Sequence, residues 1–93
     1  MVVMACELDL YFPDSRSLKD KRQVLKSLKD RIHNRFSVAV AEVDHADLWQ
    51  RSVLGIAVVS TASDHANEVL SKTVRFVEQD FRVEVLDYSI EHL

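Results

Sequence analysis

Lys19, Arg22, Lys26, Lys29 and His33 follow one another at spacings of 3, 4, 3 and 4 residues. On an α-helix, where each residue advances about 100°, that series forms one stripe within about 80° of arc. A ladder of cations along one helix face has a definite chemistry. It neutralises a row of phosphates and positions a nucleic acid without reading its sequence. The same ladder can dock an acidic protein surface, or it can be a solvated helix face with no partner. The stretch around it, Ser15 to Phe36 (SRSLKDKRQVLKSLKDRIHNRF), holds eight of the twelve Lys and Arg residues of the chain. From Arg16 to Arg35 the net charge is +6 (eight basic residues less Asp20 and Asp30), whereas the whole 93-residue chain carries −3. Charge is segregated, so its consequences are local.

A second set of residues with chemical potential is acidic. Glu7, Asp9, Glu42 and Asp44 occupy alternate positions in two apolar runs. Carboxylates so placed on neighbouring strands could hold Mg²⁺ or divide acid and base roles. They could equally be solvated or paired with Lys and Arg, and strand acids do that more often than they build sites. The four histidines show no ligand spacing, and the lone Cys6 can complete neither an internal disulfide nor a cysteine-based zinc site. No G-x-S-x-G motif frames a serine. Gly55, the only glycine, lies inside an apolar run, so no glycine-rich phosphate loop exists. Anion capture at the start of the basic helix, assisted by Arg16, is a weak signal. These residues predict a protein without enzymatic activity, bound cofactor or metal.

The elements that would position the stripe follow from periodicity. Val2 to Tyr11 alternates, with Val2, Met4, Cys6, Leu8 and Leu10 on one side, and predicts a strand. Ser17 with Asp20 three residues on resembles a capping box, and Leu18, Val24, Leu25, Leu28 and Ile32 share one 120° arc, predicting a helix to about Arg35. Lys21 falls inside that apolar arc, so it must either snorkel out or meet a buried carboxylate. Phe36 to Asp44 and Ser52 to Thr61 read as strands, joined by a polar connector carrying Trp49, which either plugs the end of the core or anchors an interface. Thr61, Ser63 and Asp64 are N-cap candidates for a second helix with apolar positions from Ala66 to Phe81, and Arg82 to about Glu91 closes as a strand.

The order β-α-β-β-α-β predicts one ferredoxin-like α+β domain over residues 1–93. Its four-stranded antiparallel sheet would carry both helices on one face. Two of the strands are apolar on both sides, which predicts that a second copy of the chain covers the open face as a homodimer. The apolar start MVVMAC is interrupted by Glu7 and Asp9, too short for a signal-peptide core or a membrane span, so the expected localisation is cytoplasmic, with no membrane partner. The sheet lacks the paired exposed aromatics that stack single-stranded bases, so a nucleic-acid partner would be structured RNA, met through shape and charge.

The runs SLKDKRQVLKSLKDRIHNRF (Ser17 to Phe36), VAVAEVD (Val38 to Asp44), DLWQR (Asp47 to Arg51) and LGIAVVS (Leu54 to Ser60) resemble the bacterial YlxP-like family, a domain of unknown function. The resemblance covers nearly the whole chain, including Leu18, Lys19, Lys21, Arg22, Phe36, Glu42, Asp47, Trp49 and Gly55. It implies a ferredoxin-like fold. Members of that family are commonly encoded beside translation-initiation and ribosome-maturation genes, which implies a role linked to RNA or a ribosomal subunit. It implies no catalytic residues. The sequence therefore leads to an accessory factor that contacts structured RNA through Lys19, Arg22, Lys26, Lys29 and His33, with docking to an acidic protein partner as the alternative.

Overall fold

The computed structural model describes residues 1–93. Strand β1 spans Val2–Tyr11, helix α1 Leu18–Arg35, β2 Ala39–Asp44, β3 Arg51–Ser60, α2 Ser63–Glu78 and β4 Glu84–His92. All neighbouring strands are antiparallel, in the spatial order β2-β3-β1-β4. This is the ferredoxin-like arrangement expected from the element order. The buried positions of β1 (Met4, Cys6, Leu8, Leu10) face the helices together with Leu54, Ile56 and Val58 of β3. Leu25, Leu28 and Ile32 of α1 and Ala66, Leu70, Val74 and Val77 of α2 close the core over them. No helix is long and apolar enough to cross a membrane.

Local chemistry explains the element ends. The Asp20 N–H donates to Ser17 Oγ at 3.0 Å, and the Arg16 N–H donates to Asp20 Oδ2 at 3.0 Å, so the first turn of α1 is capped from both sides. Phe36 is the C-cap of α1, its N–H donating to the Ile32 carbonyl, and the strand expected from Phe36 starts only at Ala39. For α2 the cap is Ala62, not Thr61, Ser63 or Asp64, and no side chain caps it. The helix stops at Glu78 rather than reaching Phe81. Asp80 takes hydrogen bonds from the Arg82 N–H and guanidinium, and that turn leaves Phe81 89% exposed. The same turn delays the last strand to Glu84.

The face of the sheet away from the helices is divided. Ala39 and Ala41 pair with Ala57 and Gly55, beside Val43, Val53 and Val59, and this part is apolar. Glu7, Asp9, Asp87 and Glu91 occupy the β1–β4 part. A bulge between Glu42 and Asp44 turns Val43 over Gly55, where a Cβ would meet Val43 Cγ1 at 2.8 Å. Any larger residue there would have to displace the exposed Val43 side chain.

Candidate polyanion-binding face

The stripe depends on how α1 is rotated, and two things set that rotation. Leu25, Leu28 and Ile32 are buried to 3% exposure or less. Lys21, in the same arc, is fully buried and its ammonium acts as an internal cation. Nζ donates to Glu42 Oε2 at 3.0 Å, the His45 carbonyl at 2.9 Å and the Arg51 carbonyl at 3.2 Å, with the Ala46 carbonyl at 3.4 Å. Ser52 Oγ donates to the same Glu42 oxygen at 2.7 Å. Lys21 does not snorkel out but meets a carboxylate, Glu42, whose side chain is itself only partly buried. The contacts tie α1 to β2 and to the connector 45–50, in which His45 takes a left-handed φ of 60°.

With α1 held this way, Lys19, Arg22, Lys26 and His33 are exposed and Lys29 is half-buried. The five span 15 residues of one helix, a rise of about 21 Å. Lys19, Arg22 and Lys29 have no carboxylate within ion-pair distance. Lys26 is engaged by Asp30 at 2.9 Å. The hydrogen bond to Asp30, then its charge, raise the Lys26 ammonium above its ordinary value, and Lys26 holds the Asp30 carboxyl below the usual carboxylate range in the same way. Lys29 and His33 add to the field on Asp30, the one acid set among the stripe cations.

The four strand acids are dispersed. Glu42 faces the helices and is bound to Lys21 and Ser52. Asp9 is on the open face, where Arg51 Nη2 donates to both of its oxygens at 2.7 and 2.8 Å. Asp44 accepts from the His45 N–H, and Glu7 is exposed. No three His, Cys, Asp or Glu side chains converge as metal ligands. Cys6 is 1% exposed, and burial, with Glu7 adding, pushes its thiol up to about 11, so it carries no nucleophilic thiolate at neutral pH. Trp49 is 46% exposed, with Leu48 at 41%, so it does not plug the core.

On the other flank of α1, Arg31 and Arg35 meet aromatic side chains. Arg31 Cζ lies 5.1 Å and Arg35 Cζ 5.3 Å from the centre of the Phe76 ring, and Arg35 is also 5.9 Å from Phe36. The two rings are edge-to-face at 5.6 Å and 77°. The i, i+4 arginine pair beside Phe36 was visible in the sequence, but Phe76, forty residues on, was not connected to it.

Residues 3–90 match the family described as "Protein of unknown function (DUF503)". The chain is 38% identical over 73 residues to "Uncharacterized protein YlxP" of Bacillus subtilis (strain 168), an alignment covering 78% of this chain and 77% of that protein.

Proposed function

The chain belongs to the DUF503 family, and from that premise we propose that it is a non-enzymatic accessory factor that contacts the phosphate backbone of structured RNA through α1. The supporting observation is the stripe of Lys19, Arg22, Lys26, Lys29 and His33, exposed except for the half-buried Lys29, on one side of a helix whose rotation is held by Lys21. Three of those cations lack a carboxylate partner. Such a surface positions a duplex or folded RNA and leaves sequence reading to other parts of an assembly, for which a ribosomal subunit is the natural target. An intracellular site of action accompanies this reading.

The test is binding of an RNA hairpin to the wild-type chain and to a Lys19→Ala, Arg22→Ala, Lys26→Ala, Lys29→Ala variant across a salt series. Each lost phosphate contact flattens the log affinity–log salt slope by about 0.7–0.9, so the four together flatten it by about 3. Between 50 and 200 mM salt those four contacts account for roughly a 50- to 150-fold fall in wild-type affinity. Equal affinity of the two proteins at low salt would remove the stripe from the interface.

A second reading has its own observation. Leu48 and Trp49 are exposed on the connector that Lys21 pins, an apolar anchor of the kind protein interfaces use. A protein with an acidic surface would then bind the stripe and the anchor together. Its retention after nuclease treatment, and its loss on Trp49→Ala, would favour this reading over RNA.

A further inference from the structure

We propose that the cleft between the C-terminal turn of α1 and α2 is a site for a phosphate monoester, built on Arg35 and Arg75. It goes beyond the stripe and does not depend on it, because it lies on the opposite flank of α1. The cleft has a volume of about 200 Å³ and is lined by Arg35, Phe36, Lys72, Arg75, Phe76 and Gln79. Three of these are cations and none is an acid. Lys72 shares its charge with Glu68 at 2.7 Å, an exposed pair, while Arg35 and Arg75 have no carboxylate within ion-pair distance. The buried Asp80, in the neighbouring hollow, is already occupied by Arg82 at 2.7 Å and Arg31 at 3.2 Å. It does not neutralise the cleft.

The geometry favours guanidinium chemistry over diffuse attraction. Arg35 Cζ lies over two rings that are themselves edge-to-face, and its guanidinium has no carboxylate partner. Its N–H groups therefore have no competing anion, and a guanidinium fork matches two oxygens of a phosphate. A phosphate monoester carries about −1.5 to −2 at neutral pH, which suits two uncompensated guanidiniums with a lysine and the Gln79 amide beside them. A monocharged carboxylate would leave that charge unbalanced. The phosphoryl group can belong to an RNA 5′ end or to a small phosphorylated molecule, and the shared chemistry is the monoester.

The experiment follows the arginine Nε–H resonances of the ¹⁵N-labelled full chain during titration with inorganic phosphate. Saturable shifts are expected at Arg35 and Arg75, and not at Arg16 or Arg22. Arg35→Lys keeps the charge but loses the fork, and should weaken phosphate binding about tenfold. Arg75→Lys serves the same purpose should the first variant melt early. The stripe variant should bind phosphate unchanged, so failure of the α1 reading and failure of this one are separable. Displacement of phosphate by a 5′-phosphorylated hairpin, but not by its 5′-hydroxyl form, assigns the ligand to RNA ends. Displacement by phenyl phosphate but by neither hairpin assigns it to a small phosphorylated molecule. Linear, unsaturating shifts shared by all surface arginines would overturn the site, as would wild-type affinity in both lysine variants.

Discussion

Lys21→Met tests whether the buried ammonium holds the molecule together. Methionine keeps the length of the stem and deletes the charge. What remains is a Glu42 carboxylate with only the Ser52 hydroxyl at 2.7 Å, and His45 and Arg51 carbonyls that have lost their donor. Removing one member of a buried ion pair costs about 3–5 kcal/mol. The Glu42 side chain keeps 17% exposure, so its stranded charge is partly solvated and the lower end, about 3 kcal/mol, is expected. A domain of this length has a total stability of about 5–14 kcal/mol, so the loss is a large share of it. In urea it should lower the midpoint by about 1–3 M. The chain has one tryptophan, on the connector that Lys21 pins, so Trp49 fluorescence reports the loop while circular dichroism reports the fold. Adding Glu42→Gln should recover part of the loss, because the stranded charge is then gone. A Lys21→Met protein within about 0.5 kcal/mol of wild type would refute the reasoning and place that ammonium in solvent.

Asp30→Asn removes the one acid among the stripe cations and frees Lys26; RNA affinity measured at low salt should rise about two- to fivefold and the gain should fade as salt is raised. Asp80 is held below the usual carboxylate range chiefly by hydrogen bonding from Arg82, so its contribution to stability is complete above the unfolded carboxyl pKa of about 3.9 and is lost as pH falls through the depressed folded value. Asp80→Asn should therefore cost about 1–3 kcal/mol at pH 7 in a denaturant titration, with the gap to wild type closing in acid; a pH-independent gap would assign the effect to packing instead. Val59→Lys charges the apolar part of the open sheet face at a residue 65% exposed, so it spares the core while blocking a second copy seated there. Sedimentation equilibrium tests the homodimer expected from the two strands that are apolar on both sides: a dimeric wild type and a monomeric variant would support it, and a monomeric wild type would end it.

The parts of the fold that were legible in the sequence are those set by local rules. β1 alternates in the sequence and has the same limits in the structure, and the Ser17–Asp20 cap needs only residues three apart. The misplaced ends depend on distant partners. Phe81 continues the apolar spacing of α2, yet Arg82 folds back onto Asp80 and ends the helix first. Periodicity cannot register that competition. Trp49 looked equally suited to a core or an interface, and only the placement of Phe12, buried at 1% exposure with its N–H bonded to the Gln50 carbonyl, shows that the end of the core is already filled. For the site, the Lys/His stripe was legible because α1 is one helix. The arginine cleft was not, because its second wall comes from α2.

The fate of the eight basic residues between Arg16 and Arg35 sharpens what α1 can bind. Composition gives the segment +6, but the structure divides that charge by role. Lys21 is consumed inside the protein by Glu42, Lys26 is shared with Asp30 on the surface, and Arg31 shares Asp80 with Arg82. Arg16, Lys19, Arg22, Lys29 and Arg35 remain uncompensated, and Arg35 turns toward α2. A polyanion on the stripe side of α1 therefore finds Arg16, Lys19, Arg22 and Lys29 free and Lys26 by exchange from its exposed pair with Asp30, at most five charges, which bounds the salt slope near 3.5–4.5 rather than the roughly 6–7 that eight contacts would give. A measured slope above about 4.5 would require cations beyond this set, and Arg75 in the cleft is one uncompensated candidate. That excess should then disappear in Arg75→Ala while the Lys19, Arg22, Lys26, Lys29 contribution persists. An excess that survives Arg75→Ala would place the additional contacts elsewhere on the molecule.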